Sequence, residues 1–322
     1  MKQGGYSDNI YVWGRMAVVF CRVASPRRKE RASVLFNLVA CVYHPRRTAY
    51  RNRGRYKMVI HEVRILYVYG DEFTIKPLAD AHLGNKYCDV KAIKEYLSET
   101  NENTRIIGTG DGVDAIITRD LKRYMKHSDA TETDAIIDEQ TDGIYQMLFP
   151  YKEKIIGLMD GNHEHSILKY HGTSITKRLC DRLGCKYLGY SCFVRVVFHE
   201  ADGGRVRTVM IYAHHGWGGG SRTQGADLTK FSKHASNIDA DIFLYSHVHR
   251  RQSDQIARLG AVGKHAVAKP KHIFICGTFL KTLSDTADAT YAEIAGYPIT
   301  SIGNINIKIK PTKSWVDVTS DV

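Results

Sequence analysis

No stretch of this 322-residue chain approaches the ~18 consecutive apolar residues of a membrane-spanning helix, which argues against a helical membrane protein. The seven cysteines (Cys21, Cys41, Cys88, Cys180, Cys185, Cys192 and Cys276) are odd in number and form no CxxC pair. That excludes a zinc-ribbon pattern and gives no support to a disulfide framework. Reduced, buried thiols in a cytoplasmic protein are the default expectation. There is no internal repeat and no low-complexity linker, so a solenoid or a string of small modules is not indicated. Most of the chain also lacks net charge. Of 46 basic and 34 acidic residues, 13 and 2 lie in residues 1–57, leaving 33 and 32 for residues 58–322. The formal +12 therefore belongs to the N-terminal segment, and the body carries no composition that favours a duplex-binding face.

The N-terminal segment reads poorly as a domain. Its basic clusters, among them Arg27-Arg28-Lys29 and Arg46-Arg47, alternate with short apolar runs of no sustained period. Leu38-Val39-Ala40-Cys41 imitates a lipoprotein cleavage box, but its apolar run is short, contains Asn37 and lies far from Met1. We expect residues 1–57 to be a basic extension outside the folded domain and residues 58–322 to be that domain. Met58 is a candidate start.

Within the body, strands are expected at 59–70, Phe73–Leu78, Thr104–Gly108, Lys154–Met159, Asp241–Tyr245, 273–280 and 302–309. A hairpin is expected from Tyr190–Phe198 and Arg205–Ala213. Helices are expected at Val90–Ser98, at Thr133–Phe149 ahead of Pro150, and at Ser174–Leu183 ahead of Gly184. Strands and helices alternate early and strands cluster later. That order predicts an α/β protein of mixed β-sheets covered by helices on both sides.

Polar residues gather at the predicted strand ends. They are Asp80-Ala81-His82, Gly110-Asp111-Gly112-Val113-Asp114, Gly161-Asn162-His163-Glu164, His214-His215-Gly216 and His247-Val248-His249. Each motif alone is weak. Asp-Gly is a common turn dipeptide, and a His-x-His pair is often a solvated surface pair. Five in succession, each following a strand, point to one rim bearing a metal site. A two-ion hydrolytic site needs mixed N/O ligands, with a carboxylate between the ions to offset their repulsion, and Asp111 on its tight glycine turn suits that position.

The set DAH, GDGVD, GNHE, HHG, SHVH resembles the calcineurin-like metallophosphoesterase superfamily over roughly residues 74–250. The resemblance implies a four-layer sandwich of two mixed sheets flanked by helices. It also implies two divalent ions, manganese first, with iron, zinc or nickel as alternatives. Asp80, His82, Asp111 and His249 would hold one ion. Asp111, Asn162, His247 and one of His214 and His215 would hold the other, with His214 preferred. His163 would face the phosphoryl oxygens or the leaving group, and Glu164 would orient its ring. Ser246 departs from the glycine usual in the last motif, and its small side chain should be tolerated.

The expected reaction is metal-dependent phosphoester hydrolysis, most simply of a phosphodiester in DNA or a nucleotide. A phosphomonoesterase and an inactive metal-bound scaffold are the alternatives. Trp217 and Arg222, on the glycine-rich loop after the histidine pair, are candidates to stack on a base and contact phosphate, unless that loop has no ligand role. The basic stretch at 115–131, with Lys122, Arg123, Lys126 and His127, reads by itself as a solvated face, and together with the glycine-rich loop it leans toward a nucleic-acid or nucleotide phosphodiester. The layout resembles phage and bacterial phosphoesterases of DNA-repair or nuclease-like type, which is an analogy at the level of fold.

Overall fold

The computed structural model describes residues 11–13, 16–18, 58–116, 135–221, 223 and 225–322. The chain divides into two units, Met1–Lys57 and Met58–Val322. In the first, β1 (Tyr11–Trp13) pairs antiparallel with β2 (Met16–Val18). The rest of the expected basic extension lies outside the described residues.

The second unit runs β3 (Ile60–Tyr67), β4 (Phe73–Leu78), α1 (Val90–Ser98), β5 (Thr104–Gly108), α2 (Ile136–Leu148), β6 (Ile155–Leu158), α3 (Asn162–His171), α4 (Ile175–Leu183) and β7 (Lys186–Tyr187). It continues β8 (Ser191–Glu200), β9 (Val206–His214), α5 (Ala226–Ala235), β10 (Ile242–Tyr245), β11 (Arg251–Val262), β12 (His265–Thr278), α6 (Tyr291–Ile294), β13 (Gly303–Asn304), β14 (Ile307–Pro311) and β15 (Val316–Ser320).

Two mixed sheets form. One has the order β11-β12-β10-β9-β8-β3, with β13 joining β12, and the other β15-β14-β4-β5-β6-β7. Their inner faces share one apolar core, in which Ile65, Val194, Phe198 and Ile211 of the first meet Phe73, Ile75, Ile107 and Ile307 of the second. The outer face of the second sheet packs on the helices through Leu78, Ile106, Ile93, Ile144 and Leu179. The outer face of the first packs on α5 through Phe243, Ile273 and Phe231. The layers are helix, sheet, sheet, helix, which is the expected four-layer sandwich. Local chemistry sets the helix ends. Asp89 accepts a hydrogen bond from Ala92 N (3.0 Å) at the start of α1. Ser174 caps α4, and Gly184 closes it in the left-handed conformation.

Register places the site. Leu78 of β4 pairs with Gly108 of β5, which pairs with Leu158 of β6. Tyr245 of β10 pairs with His214 of β9. These parallel strands therefore end together, and Asp80, Asp111, Asn162, His215 and His247 emerge on one rim.

Several elements carried no clear signal in the sequence. The segment after Met159 folds as α3 rather than as a turn, because Asn162 and His163 are the first residues of that helix. β11 and the first half of β12 form a hairpin whose residues are largely exposed, so neither face carries an apolar alternation. The strand expected at 302–309 is two strands, β13 and β14. β15 and the helices α5 and α6 were not foreseen.

Candidate metal centre

Six non-glycine residues among those described have left-handed φ angles: Asp80 (45°), His82 (48°), Asp111 (52°), Ala115 (45°), His247 (74°) and His249 (58°). Such backbone is costly and gathers at functional sites. Five of the six are sequence-predicted metal ligands. The turns hold one another. Asp80 N donates to Gly110 O (3.1 Å), His82 N to Asp111 O (2.9 Å) and His247 N to Asp80 Oδ2 (2.8 Å). Gly110 (φ 99°) sits where a Cβ would lie 2.6 Å from Gly161 N, and a Cβ at Gly161 would collide with Asp111. Only glycine lets these two loops approach so closely.

Three convergent groups result, one of them His82, Asp114 and His163, and the other two match the expected ligand sets. In the first of these two, His82 Nε2 lies 3.1 Å from His249 Nε2, and Asp80 joins them with its buried Oδ1 lacking any hydrogen-bond partner. In the second, Asn162 Oδ1 lies 3.0 Å from His215 Nε2 and 2.7 Å from His247 Nδ1, while Asp111 Oδ2 is 3.3 Å from His215 Nε2. His215 Nδ1 donates to Thr109 O (2.9 Å), which leaves Nε2 as the nitrogen aimed at the group. An orphaned buried carboxylate oxygen and facing imidazole nitrogens, buried or partly so, are satisfied together by a cation. The donor set therefore fits divalent metal, with mixed nitrogen and oxygen ligands.

Charge follows the same pattern. Burial raises the Asp80 carboxyl well above its usual range. Burial acts the same way on Asp111, but the imidazoles of His215, His163 and His82 outweigh it and hold that carboxyl well below. Burial opposes charge on His215, yet the Asp111 carboxylate beside it raises the imidazole to about 10. Burial, then His215, lowers His247 to about 4.

The preference for His214 is corrected. His214 is the last residue of β9, and its ring meets Trp217 (5.1 Å between centroids) and His234 (5.8 Å) on the α5 side of the sheet. Its Nδ1 accepts from Gly216 N (2.8 Å). His215, one residue past the strand, turns to the opposite face and meets Asp111. The side-chain alternation of a strand separates the neighbours.

The expected contact of Glu164 with the His163 ring is also replaced. Glu164 accepts from the backbone N–H of Gly161 (2.8 Å), Asp111 (3.0 Å), Gly112 (2.8 Å) and Val113 (3.3 Å), and so fixes the Asp111 turn. The His163 ring is held by Asp114, whose carbonyl accepts from Nδ1. Asp114 Oδ1 also lies 3.4 Å from His82 Nδ1 and 3.9 Å from His163 Nδ1. Asp114 stood inside the GDGVD motif, yet nothing in its spacing revealed that it lies between two histidines. Ser246 is fully buried and donates to Thr109 Oγ1 (2.6 Å), tying the His247 turn to the Asp111 turn.

A cleft of about 280 Å³ lies over these groups, lined by His82, Asp111, Asn162, His163, His247 and His249. Gly218, Gly219 and Gly220 of the glycine-rich loop line it as well. Trp217 does not. Its ring packs against His214, Phe231 and His234. Arg222 and the basic stretch from 117 onward lie outside the described residues. The opposite wall comes from residues 280–300, a stretch without a recognisable motif.

No family model matches the chain, and no curated protein matches it. Solved structures similar to it include a conserved uncharacterized protein, a predicted phosphoesterase, from Streptococcus pneumoniae (11% identity, 78% of this chain and 98% of that chain, TM-score 0.30). They also include vacuolar protein sorting 29 from Cryptosporidium parvum (13%, 79% and 97%, TM-score 0.32). A third is wild-type Vps29 complexed with Zn²⁺ from Entamoeba histolytica (10%, 78% and 98%, TM-score 0.31). Likeness at these scores fixes neither fold nor function. Two stacked mixed sheets flanked by helices bring to one rim the five motifs that resemble those of the calcineurin-like metallophosphoesterases. Among the described residues, no helix is long and apolar enough to cross a membrane.

Proposed function

We propose that this protein is a binuclear metal-dependent phosphodiesterase acting on nucleic acid or nucleotides, with manganese as the preferred ion. The observation that carries this reading is the meeting of two ligand groups under one cleft with a non-ligand histidine beside them. Asp80, His82, Asp111 and His249 would hold one ion. Asp111, Asn162, His215 and His247 would hold the other. Two divalent ions held there would supply an acidified water and neutralise charge on phosphoryl oxygens. The chain's own residues do the rest. Glu164 keeps the Asp111 turn rigid through four backbone N–H groups. The Asp114 carbonyl accepts a hydrogen bond from His163 Nδ1, which leaves Nε2 of that ring on the cleft side to hold or deliver a proton at the leaving oxygen.

Turnover of bis-p-nitrophenyl phosphate beside p-nitrophenyl phosphate, with added Mn²⁺, tests the reaction. Faster diester hydrolysis, lost in His163→Ala with metal retained, supports the reading. Faster monoester hydrolysis would make the protein a phosphomonoesterase, and metal binding without turnover of either would make it a scaffold. We also propose that residues 1–57 are an extension dispensable for the site. A chain beginning at Met58 should then keep its metal content and diester turnover, and loss of either would reject that reading.

A further inference from the structure

The wall of the cleft facing the ligand groups differs in kind from the floor. It is built by residues 280–300 and by the loop after His82, and it presents Tyr87, Leu280, Tyr291, Tyr297 and Pro298. Tyr291 and Tyr297 meet edge to face (6.0 Å between centroids) while staying 54% and 40% exposed. Large aromatic rings held at a cleft mouth, half in water, are typical of surfaces that bind a flat partner. The wall is also anchored. Tyr87 OH donates to Asp288 O (3.2 Å), Lys281 N donates to Tyr87 O (2.9 Å), and Asp89 N donates to Phe279 O (2.8 Å).

The cations of the same cleft are already engaged. Arg250 Nε lies 3.3 Å from buried Asp227 Oδ2, and Lys281 Nζ lies 2.7 Å from Asp285 Oδ2. Among the described residues, both Lys/Arg side chains that line the cleft are thus paired with carboxylates. A polymer needs a run of cations along its backbone. A single phosphoester with one ring needs only this floor and this wall.

Resting on the phosphodiesterase reading, we infer that the cleft takes a nucleotide-sized phosphoester. Its planar base or other aromatic group lies against Tyr291 and Tyr297 while its phosphate meets the ligand groups. These two tyrosines set specificity and take no part in bond breaking.

The test is equilibrium binding to the full-length, Mn²⁺-loaded protein of three probes: thymidine 5′-monophosphate, ethyl phosphate and a 20-nucleotide single-stranded DNA. The wild type should bind thymidine monophosphate about tenfold or more tighter than ethyl phosphate, as stacking on an aromatic side chain provides. In the Tyr291→Ala/Tyr297→Ala double variant that ratio should fall to about two or less, with metal content the control for folding. Equal affinities in the wild type, or a ratio kept in the double variant, would overturn the inference. Oligonucleotide bound more than about tenfold tighter than the mononucleotide would also overturn it, in favour of a nucleic-acid track. If ethyl phosphate fails to bind the metal-loaded protein at all, the phosphoesterase reading falls first and takes the inference with it.

Discussion

The floor and the wall of the cleft were built by opposite means. The floor is polar, strained and largely buried, with Asp80, His82, Asp111 and the partly buried His247 and His249 in left-handed backbone at the ends of parallel strands. The wall is apolar and half-exposed, and a long irregular connection carries it, with the single short helix α6. A site that must hold cations needs rigid convergence, and the register of two sheets supplies it. A site that must choose a substrate needs only shape and apolar area, which a connection between strands can supply and vary.

Changes that separate floor from wall should differ most in size. Asp111→Ala removes the carboxylate proposed to serve both ions and should lower diester turnover by about a thousandfold or more, with loss of bound metal by elemental analysis. The neighbouring histidines sharpen the contrast. His215→Ala should lower metal affinity by about a hundredfold, whereas His214→Ala, which loses a ring contact with Trp217, should change it by less than about fivefold. Isothermal titration with Mn²⁺ distinguishes the two, and equal losses would mean that the pair is not divided between the faces of the sheet.

Phe198→Ala tests the layer beneath the floor. Phe198 is fully buried between the sheets beside Phe73 (5.2 Å between centroids), and truncation should cost about 3–5 kcal/mol in denaturant unfolding.

The pH response should invert on adding metal. Without metal, Asp111 raises His215 to about 10, above the unfolded value of 6.5. The stability from this pair is complete below pH 6.5 and is lost as pH rises toward 10. A cation must displace the proton from His215, so metal affinity should instead rise with pH over that window. Thermal unfolding with and without Mn²⁺ at pH 6.5 and 9 reads both trends. The smallest effect belongs to the wall. Tyr87→Phe removes a hydrogen bond to Asp288 O and should cost about 1 kcal/mol, leaving metal content unchanged.

The same division explains what could be read from the sequence. Ligand chemistry needs particular residue types at strand ends, so Asp80, His82, Asp111, Asn162, His247 and His249 were visible as motifs, and the fold brings their side chains together. Choosing between His214 and His215 required knowing that β9 ends at His214, and an uncertainty of one residue at a strand end reverses which face a side chain takes. The role of Glu164 was hidden because its four partners are backbone N–H groups, which leave no mark on side-chain identity. The wall was illegible for a similar reason. Tyr87, Tyr291 and Tyr297 are brought together by backbone hydrogen bonds between segments some 200 residues apart. The exposed β11–β12 hairpin lacked the apolar alternation that betrays a half-buried strand.

Titration of the metal-free full-length protein with Mn²⁺, following hydrolysis of bis-p-nitrophenyl phosphate, tests the two-ion reading of the site. Turnover should appear as a second equivalent binds, and His163→Ala should take up the same two equivalents without turnover. Saturation at two equivalents with no hydrolysis by the wild type, or turnover that survives the loss of His163, would contradict it.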